Sequence, residues 1–272
     1  MSENISETNV RDYTPPLRGG DGGGAGDGAD IISVQNLEKK FGAFTAVNKI
    51  SFEVKRGEVF GFLGANGAGK TTAIKMLIGL WAPTSGKATV AGFDLFTESD
   101  SIRRNIGYMA QRFSLYEDLT VIENIQFYGG IYGLKKNVLN ERTEKLIAEL
   151  GMESFRKELL KNIPLGWKQK LALSVAMIHE PKIVFLDEPT SGVDPITRRQ
   201  FWDLIYKAAA NGTTVFVTTH YMDESEYCDR VSIMVDGKIE ALDTPAGLKK
   251  SFGAKSMDEV FLKLARPTGA HV

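Results

Sequence analysis

The run Gly64-Ala65-Asn66-Gly67-Ala68-Gly69-Lys70-Thr71, followed by Thr72, constrains this chain more than any other feature. It fits the pattern G-x4-G-K-[ST] and lies between the apolar run 58–63 and a helical pattern over 70–80, the strand–turn–helix context in which such a loop works. Its glycines let the backbone curl so that successive N–H groups point at phosphate oxygens, and the N-terminus of the following helix adds its positive dipole. Lys70 is placed to neutralise β- and γ-phosphate charge, and the Thr71 hydroxyl to bind Mg2+. Such a match arises by chance in a chain of this length about 1% of the time.

The rest of the chain reads as strands alternating with helices. Strands are expected at 31–41 and 50–54, then at 88–95 and 106–109. Residues from about 112 to 165 place Val121, Ile125, Tyr128, Leu139, Leu146, Ile147 and Leu150 at helical spacing with no strong strand, which predicts a mostly helical insertion. Apolar runs at 183–186, 215–217 and 231–235 follow, separated by helices over 168–178 and 196–210. Short apolar strands alternating with helices predict a parallel sheet covered on both faces. Asp236-Gly237 signals a hairpin between the last such strand and 238–242. The expected fold is α/β: a P-loop NTPase core with a parallel sheet, an antiparallel β edge and a helical subdomain at about 112–180.

A phosphate loop alone does not choose among GTPases, kinases and ATPases. A GTPase needs an Asn-Lys-x-Asp element, and the only Asn-Lys pair, Asn48-Lys49, precedes the loop and lacks the Asp. The strand 183–186 instead runs into Asp187-Glu188, which it delivers to the C-terminal edge of the sheet beside the loop. Adjacent acids can divide the labour there, Asp187 toward a metal and Glu188 toward an attacking water.

Composition narrows the class further. The 33 Lys+Arg nearly balance the 34 Asp+Glu, which argues against a nucleic-acid binder. One cysteine, Cys228, excludes an intramolecular disulfide and a cysteine metal cluster, and points to a reducing compartment. No run approaches the roughly 18 apolar residues of a membrane span, and the start MSENISETNV is unlike a secretory signal, so a cytoplasmic chain is expected. Residues 1–30 hold seven glycines and six acids against two arginines, a net −4 that leaves +3 for 31–272. That composition predicts a disordered acidic tail.

In the order of its elements the sequence resembles the ATP-binding cassette (ABC) ATPases over nearly all of 31–272. The resemblance rests on the phosphate loop, Gln111, the Gly166 region, Asp187-Glu188-Pro189-Thr190, Ser191-Gly192-Val193-Asp194 and His220. It implies ATP and Mg2+ as ligands, with Phe41 stacking on adenine and Gln111 sensing the metal and coupling to a membrane partner. It further implies Glu188 as the base, His220 contacting the γ-phosphate and Asp194 speaking to an opposite subunit. The wording is closest to subunits of drug, lipid or polysaccharide exporters. That implies a permease partner, a second nucleotide-binding subunit and a place on the cytoplasmic face of the cell membrane. Phe113, Tyr116 and Leu119 are candidate groove residues for the permease.

One element departs from the family pattern. Where the family reads Leu-Ser-Gly-Gly, this chain reads Ile163-Pro164-Leu165-Gly166, followed by Trp167-Lys168-Gln169-Lys170. The Ser hydroxyl and first Gly are gone, and Pro164 supplies no N–H. Gly166 and the start of a helix near Trp167 still offer backbone donors to an ATP held by a second subunit. Either these suffice in a homodimer, or the chain pairs with a cassette of fuller signature, and a regulatory, largely non-hydrolysing role stands as the alternative. Cys228 is expected as a small packing residue, and His179 as a capping or dipole-compensating one.

Overall fold

The computed structural model describes residues 30–111 and 115–265. Chain order runs β1 (Asp30–Phe41), β2 (Phe44–Lys55), β3 (Val59–Gly64), α1 (Lys70–Leu77), β4 (Ser85–Val90), β5 (Phe93–Asp94), α2 (Ser99–Asn105) and β6 (Ile106–Met109). It continues with α3 (Val121–Ile131), α4 (Lys136–Leu150), α5 (Leu165–Ala176), β7 (Ile183–Asp187), α6 (Pro195–Ala210) and β8 (Thr214–Thr219). Then come β9 (Arg230–Val235), β10 (Lys238–Asp243), α7 (Pro245–Ser251) and α8 (Met257–Ala265).

Among the described residues the larger sheet has the order β10-β9-β3-β8-β7-β6. All its pairings are parallel except β9 with β10. The turn that joins that pair holds Asp236 and Gly237 at φ 47° and 79°, the left-handed pair that its sequence signals. An antiparallel sheet, β2-β1-β4-β5, lies over one face.

Every residue of β3, β7 and β8 is buried, so none of the three shows the polar alternation of a half-exposed strand. Their period-2 geometry nevertheless sorts the side chains into two cores. Phe60, Phe62, Phe185 and Phe216 face α1 and the antiparallel sheet, where Phe52 packs against three of them at ring-centroid distances of 5.7 to 6.2 Å. Val59, Leu63, Val184, Leu186, Val215 and Val217 face the opposite way, onto α5 and α6, with Trp202 fully inside. The aromatic face is rigid and volume-filling, and the aliphatic face carries the helical segment.

Local signals set the helix ends near the site. Thr120 and Glu123 form a capping box that starts α3. Asp194 caps α6 ahead of Pro195 at the first helical position. Between 121 and 176 the named elements are α3, α4, α5 and short 3-10 turns.

Three expected elements are corrected. The strand expected at 88–95 is two, β4 and β5, because Ala91 and Gly92 at φ 56° and 89° turn the chain so that Val90 pairs with Phe93. The second strand begins at Phe44 rather than Ile50, since it pairs with β1 along nearly its whole length. Helix α5 begins at Leu165, with Pro164 as its N-cap. The acidic tail, apart from Asp30, and Phe113 lie outside the described residues. No helix among the described residues is long and apolar enough to cross a membrane.

Candidate functional site

The phosphate loop joins the C-terminal end of β3 to α1. Gly64 (φ 156°) and Gly69 (φ 105°) could not be replaced without shifting backbone: a Cβ would stand 2.4 Å from Met234 O at the first and 2.4 Å from Ala46 O at the second. Gly69 is the N-cap of α1 and carries no side-chain cap, which leaves the first N–H groups of the helix directed into the loop. A cavity of about 290 Å3 opens there, floored by Gly67, Lys70, Thr71 and Thr72, walled by Phe44 and closed by Gln111 and Glu188. Asn66 and Gly69 also line it. Ala65 contributes its carbonyl to Lys70, while Ala68 N–H donates to Ala65 O, which closes the loop turn.

Lys70 is buried, and its ammonium donates to Gly64 O at 2.8 Å and Ala65 O at 3.2 Å. It also pairs with Glu188 Oε1 at 3.4 Å. The other oxygen of that carboxylate, Oε2, accepts from Gln111 Nε2 at 2.9 Å and lies 3.1 Å from His220 Nδ1. Glu188, itself buried, is thus the hub on which loop, Gln111 and His220 converge. Its backbone is left-handed, φ 49°, an uncommon state for a residue with a side chain and one that concentrates at working sites. Two acceptors on one residue hold it there: Glu188 N–H donates to Thr218 O and to Thr218 Oγ1.

Asp187 ends β7 and is almost wholly buried. Its Oδ1 accepts from Thr218 Oγ1 at 2.8 Å and from Thr71 Oγ1 at 3.4 Å. Burial pushes this carboxyl above the usual carboxylate range, partly offset by those two hydroxyls. Thr71 and Asp187 present hard oxygen donors side by side, which suits Mg2+, an ion that takes one or two protein oxygens and fills its shell with phosphate and water. No cluster of three or more His, Cys, Asp or Glu able to hold a metal exists among the described residues.

A model of the ABC transporter family matches residues 47–191, which carry the loop, Gln111, Asp187 and Glu188. The chain belongs to the ABC transporter family. The cassette is 48% identical over 242 residues to YbhF of Escherichia coli (strain K12), described as a probable multidrug ABC transporter ATP-binding protein. That alignment takes in 87% of this chain but only 42% of YbhF, so the chain spans about two fifths of that relative. It is 35% identical to the linearmycin resistance ATP-binding protein LnrL of Bacillus subtilis (strain 168), over 84% of this chain and 73% of LnrL. A solved structure described as the ATP binding subunit of an ABC transporter superposes with TM-score 0.78 at 30% identity, over 86% of this chain and 99% of that one.

The remaining residues of the cassette sit apart from this hub. Phe41 does not line the phosphate cavity; its ring packs edge-on against Trp81 at 5.4 Å, beneath the Lys39 ammonium. Phe44, its register partner across the hairpin, is the aromatic at the cavity, and sequence reading passed over it. Thr218 was missed as well; its signal was its place near the end of a buried strand that His220 follows.

The signature segment lies elsewhere. Pro164 caps α5, and its carbonyl accepts from Trp167 and Lys168, which leaves Leu165 and Gly166 N–H without helical partners. Gly166 faces Thr197 so closely that a Cβ would stand 2.7 Å from its methyl group. Together with Gly192 and Asp194 these residues line a cleft of about 660 Å3 that shares no lining residue with the phosphate cavity. Gln169 ties this helix to the turn after Glu188, donating to Ser191 O at 3.1 Å. Lys168 turns away, to Lys161 O and Glu117. The Asp194 carboxylate is engaged within its own chain: it accepts from Ile196 N, Thr197 N and Thr197 Oγ1, which hold it below the usual carboxylate range.

His179 corrects its expected role. Its ring stacks on Tyr132 at 3.7 Å, Nε2 lies 3.1 Å from Ile106 O, and burial pushes its pKa down to about 4. A neutral ring cannot compensate a helix dipole. Cys228 is buried beside Gly61, where a Cβ would meet its sulfur at 2.9 Å. Of the groove candidates, Tyr116 is exposed and meets Phe127 edge-on, while Leu119 is half-buried and its carbonyl accepts from Leu160 N.

Proposed function

We propose that this chain hydrolyses ATP to drive an ABC-type exporter, working on the cytoplasmic face of the membrane against a transmembrane permease. The observation that carries the reading is the buried carboxylate of Glu188, held by Lys70, Gln111 and His220 at the end of the phosphate cavity. ATP phosphates would take the loop N–H groups, and Lys70 would balance their charge. Glu188 Oε2 would accept a proton from the water that attacks the γ-phosphorus as the bond to the β-phosphate oxygen breaks, giving ADP and phosphate. His220 would bridge Glu188 and the γ-phosphate. Mg2+, held by Thr71 and Asp187 with Gln111 nearby, would neutralise charge on the β- and γ-oxygens.

The names of YbhF and LnrL, which speak of multidrug transport and linearmycin resistance, support export as the direction. The separation of the signature cleft from the phosphate cavity supports a working dimer, in which the Gly166 end of one subunit meets ATP on the other. Adenine contact by Phe41 and an inter-subunit role for Asp194 belong to that closed state. A second, largely non-hydrolysing role beside a more active cassette is favoured by one observation, Pro164 in place of a hydroxyl donor. Phosphate release by the purified chain tests the proposal: turnover that rises cooperatively with ATP and vanishes in Glu188→Gln supports it. Turnover unchanged by that substitution overturns it, and activity only after a second cassette is added transfers the case to the alternative.

A further inference from the structure

Glu224 is the one glutamate wholly withdrawn from solvent among the described residues, and no step above uses it. It lies in the 3-10 turn Met222–Tyr227 that follows β8 and His220. Its Oε1 accepts from the buried hydroxyl of Thr190 at 2.6 Å, two residues beyond Glu188, and lies 3.4 Å from Arg198 Nε on the first turns of α6. The Arg198 guanidinium sits 4.4 Å from the centre of the Tyr221 ring, Tyr221 packs on His220 at 4.2 Å, and His220 returns to Glu188. These contacts form a closed ring through three of the segments that bear site residues: the turn after β7, the turn after β8 and the start of α6.

A buried carboxylate is costly to desolvate, and an apolar side chain of the same shape could fill this space as stably. What the charge adds is fixed geometry, because its partners Thr190 and Arg198 must come to it from two other segments. We propose that Glu224 is a positioning residue for hydrolysis: by holding Thr190 and Arg198 together it sets the separation of Glu188 and His220. The Tyr221 ring carries the restraint to the imidazole, and the short link from Thr190 carries it to the carboxylate. Glu224 touches no reacting atom.

The inference rests on the hydrolytic reading above, so its test includes a readout independent of turnover. The chain has three histidines, and labelling their rings lets His220 and His179 be followed separately by NMR. In the 272-residue chain, Glu224→Ala is expected to lower kcat at least tenfold, leave ATP affinity within twofold and displace the His220 resonances but not those of His179. Glu224→Gln keeps an acceptor for Thr190 without the charge and is expected to recover part of kcat. Glu226→Ala, on the same turn but paired outward to Lys249, is expected to match the parent. Unmoved His220 resonances in Glu224→Ala overturn the proposal even if the chain proves not to hydrolyse ATP. A parallel loss of ATP affinity, with both histidines displaced, overturns it as well, since that marks general loosening. If Glu188→Gln hydrolyses normally while His220 moves as expected in Glu224→Ala, the brace stands and the assignment of the base falls.

Discussion

Nδ1 of His220 and Oε2 of Glu188 lie 3.1 Å apart across 32 residues of sequence, brought together because β8 and β7 are parallel neighbours that end at the same edge. Their coupling is measurable. Glu188→Gln and His220→Ala should each reduce phosphate release by about 100- to 1000-fold. The double variant should lose little more than the worse single one, because groups that act as a unit are not additive. Additive losses in single-turnover assays would separate the two roles.

Lys70 should govern affinity. Charge-assisted bonds of this kind contribute about 1.5–3 kcal/mol, so Lys70→Ala should weaken ATP binding about 10- to 100-fold by titration calorimetry. The same change removes the cation beside Glu188 Oε1 and should leave the fold intact, since the loop turn is closed by backbone bonds that do not involve the side chain.

Asp194 is spent on α6 within its own chain, so its first measurable effect should be on stability. Asp194→Ala should lower Tm by roughly 2–4 °C, and Asp194→Ser should recover most of that. Equal Tm values in calorimetric scans would show that the cap is dispensable.

The ring of His179 supplies a pH dependence. Its folded pKa of about 4 lies below the usual 6.5, so the unfolded chain binds the extra proton first. The stability it confers is complete above pH 6.5 and declines as the pH falls toward 4. His179→Phe, which keeps the stack on Tyr132, should flatten the midpoint of urea unfolding over that window. A parallel slope in both proteins would assign the acid sensitivity to other groups.

The sequence made the phosphate loop legible because glycine, lysine and threonine at fixed spacing have one mechanical use between a strand and a helix. Asp187, Glu188 and His220 were legible for a related reason, as polar residues at the ends of apolar strands. What stayed hidden depends on pairing across the chain. Nothing in the spacing of Ala91 and Gly92 separates a turn from a strand interior until Val90 meets Phe93. Phe44 rather than Phe41 reaches the cavity because of hairpin register, which a linear reading cannot weigh. The cap at Asp194 has a local signal in the following Pro195, whose fixed φ suits the first helical position.

The left-handed backbone at Glu188 has a consequence for how such a protein can change. Glycine or asparagine would rest in that conformation with less strain, yet neither could take up a proton from water. Selection for heat resistance alone should therefore drift toward these residues at position 188 and yield sturdier but idle proteins. Only selection that includes turnover would keep the carboxylate in its uncomfortable place.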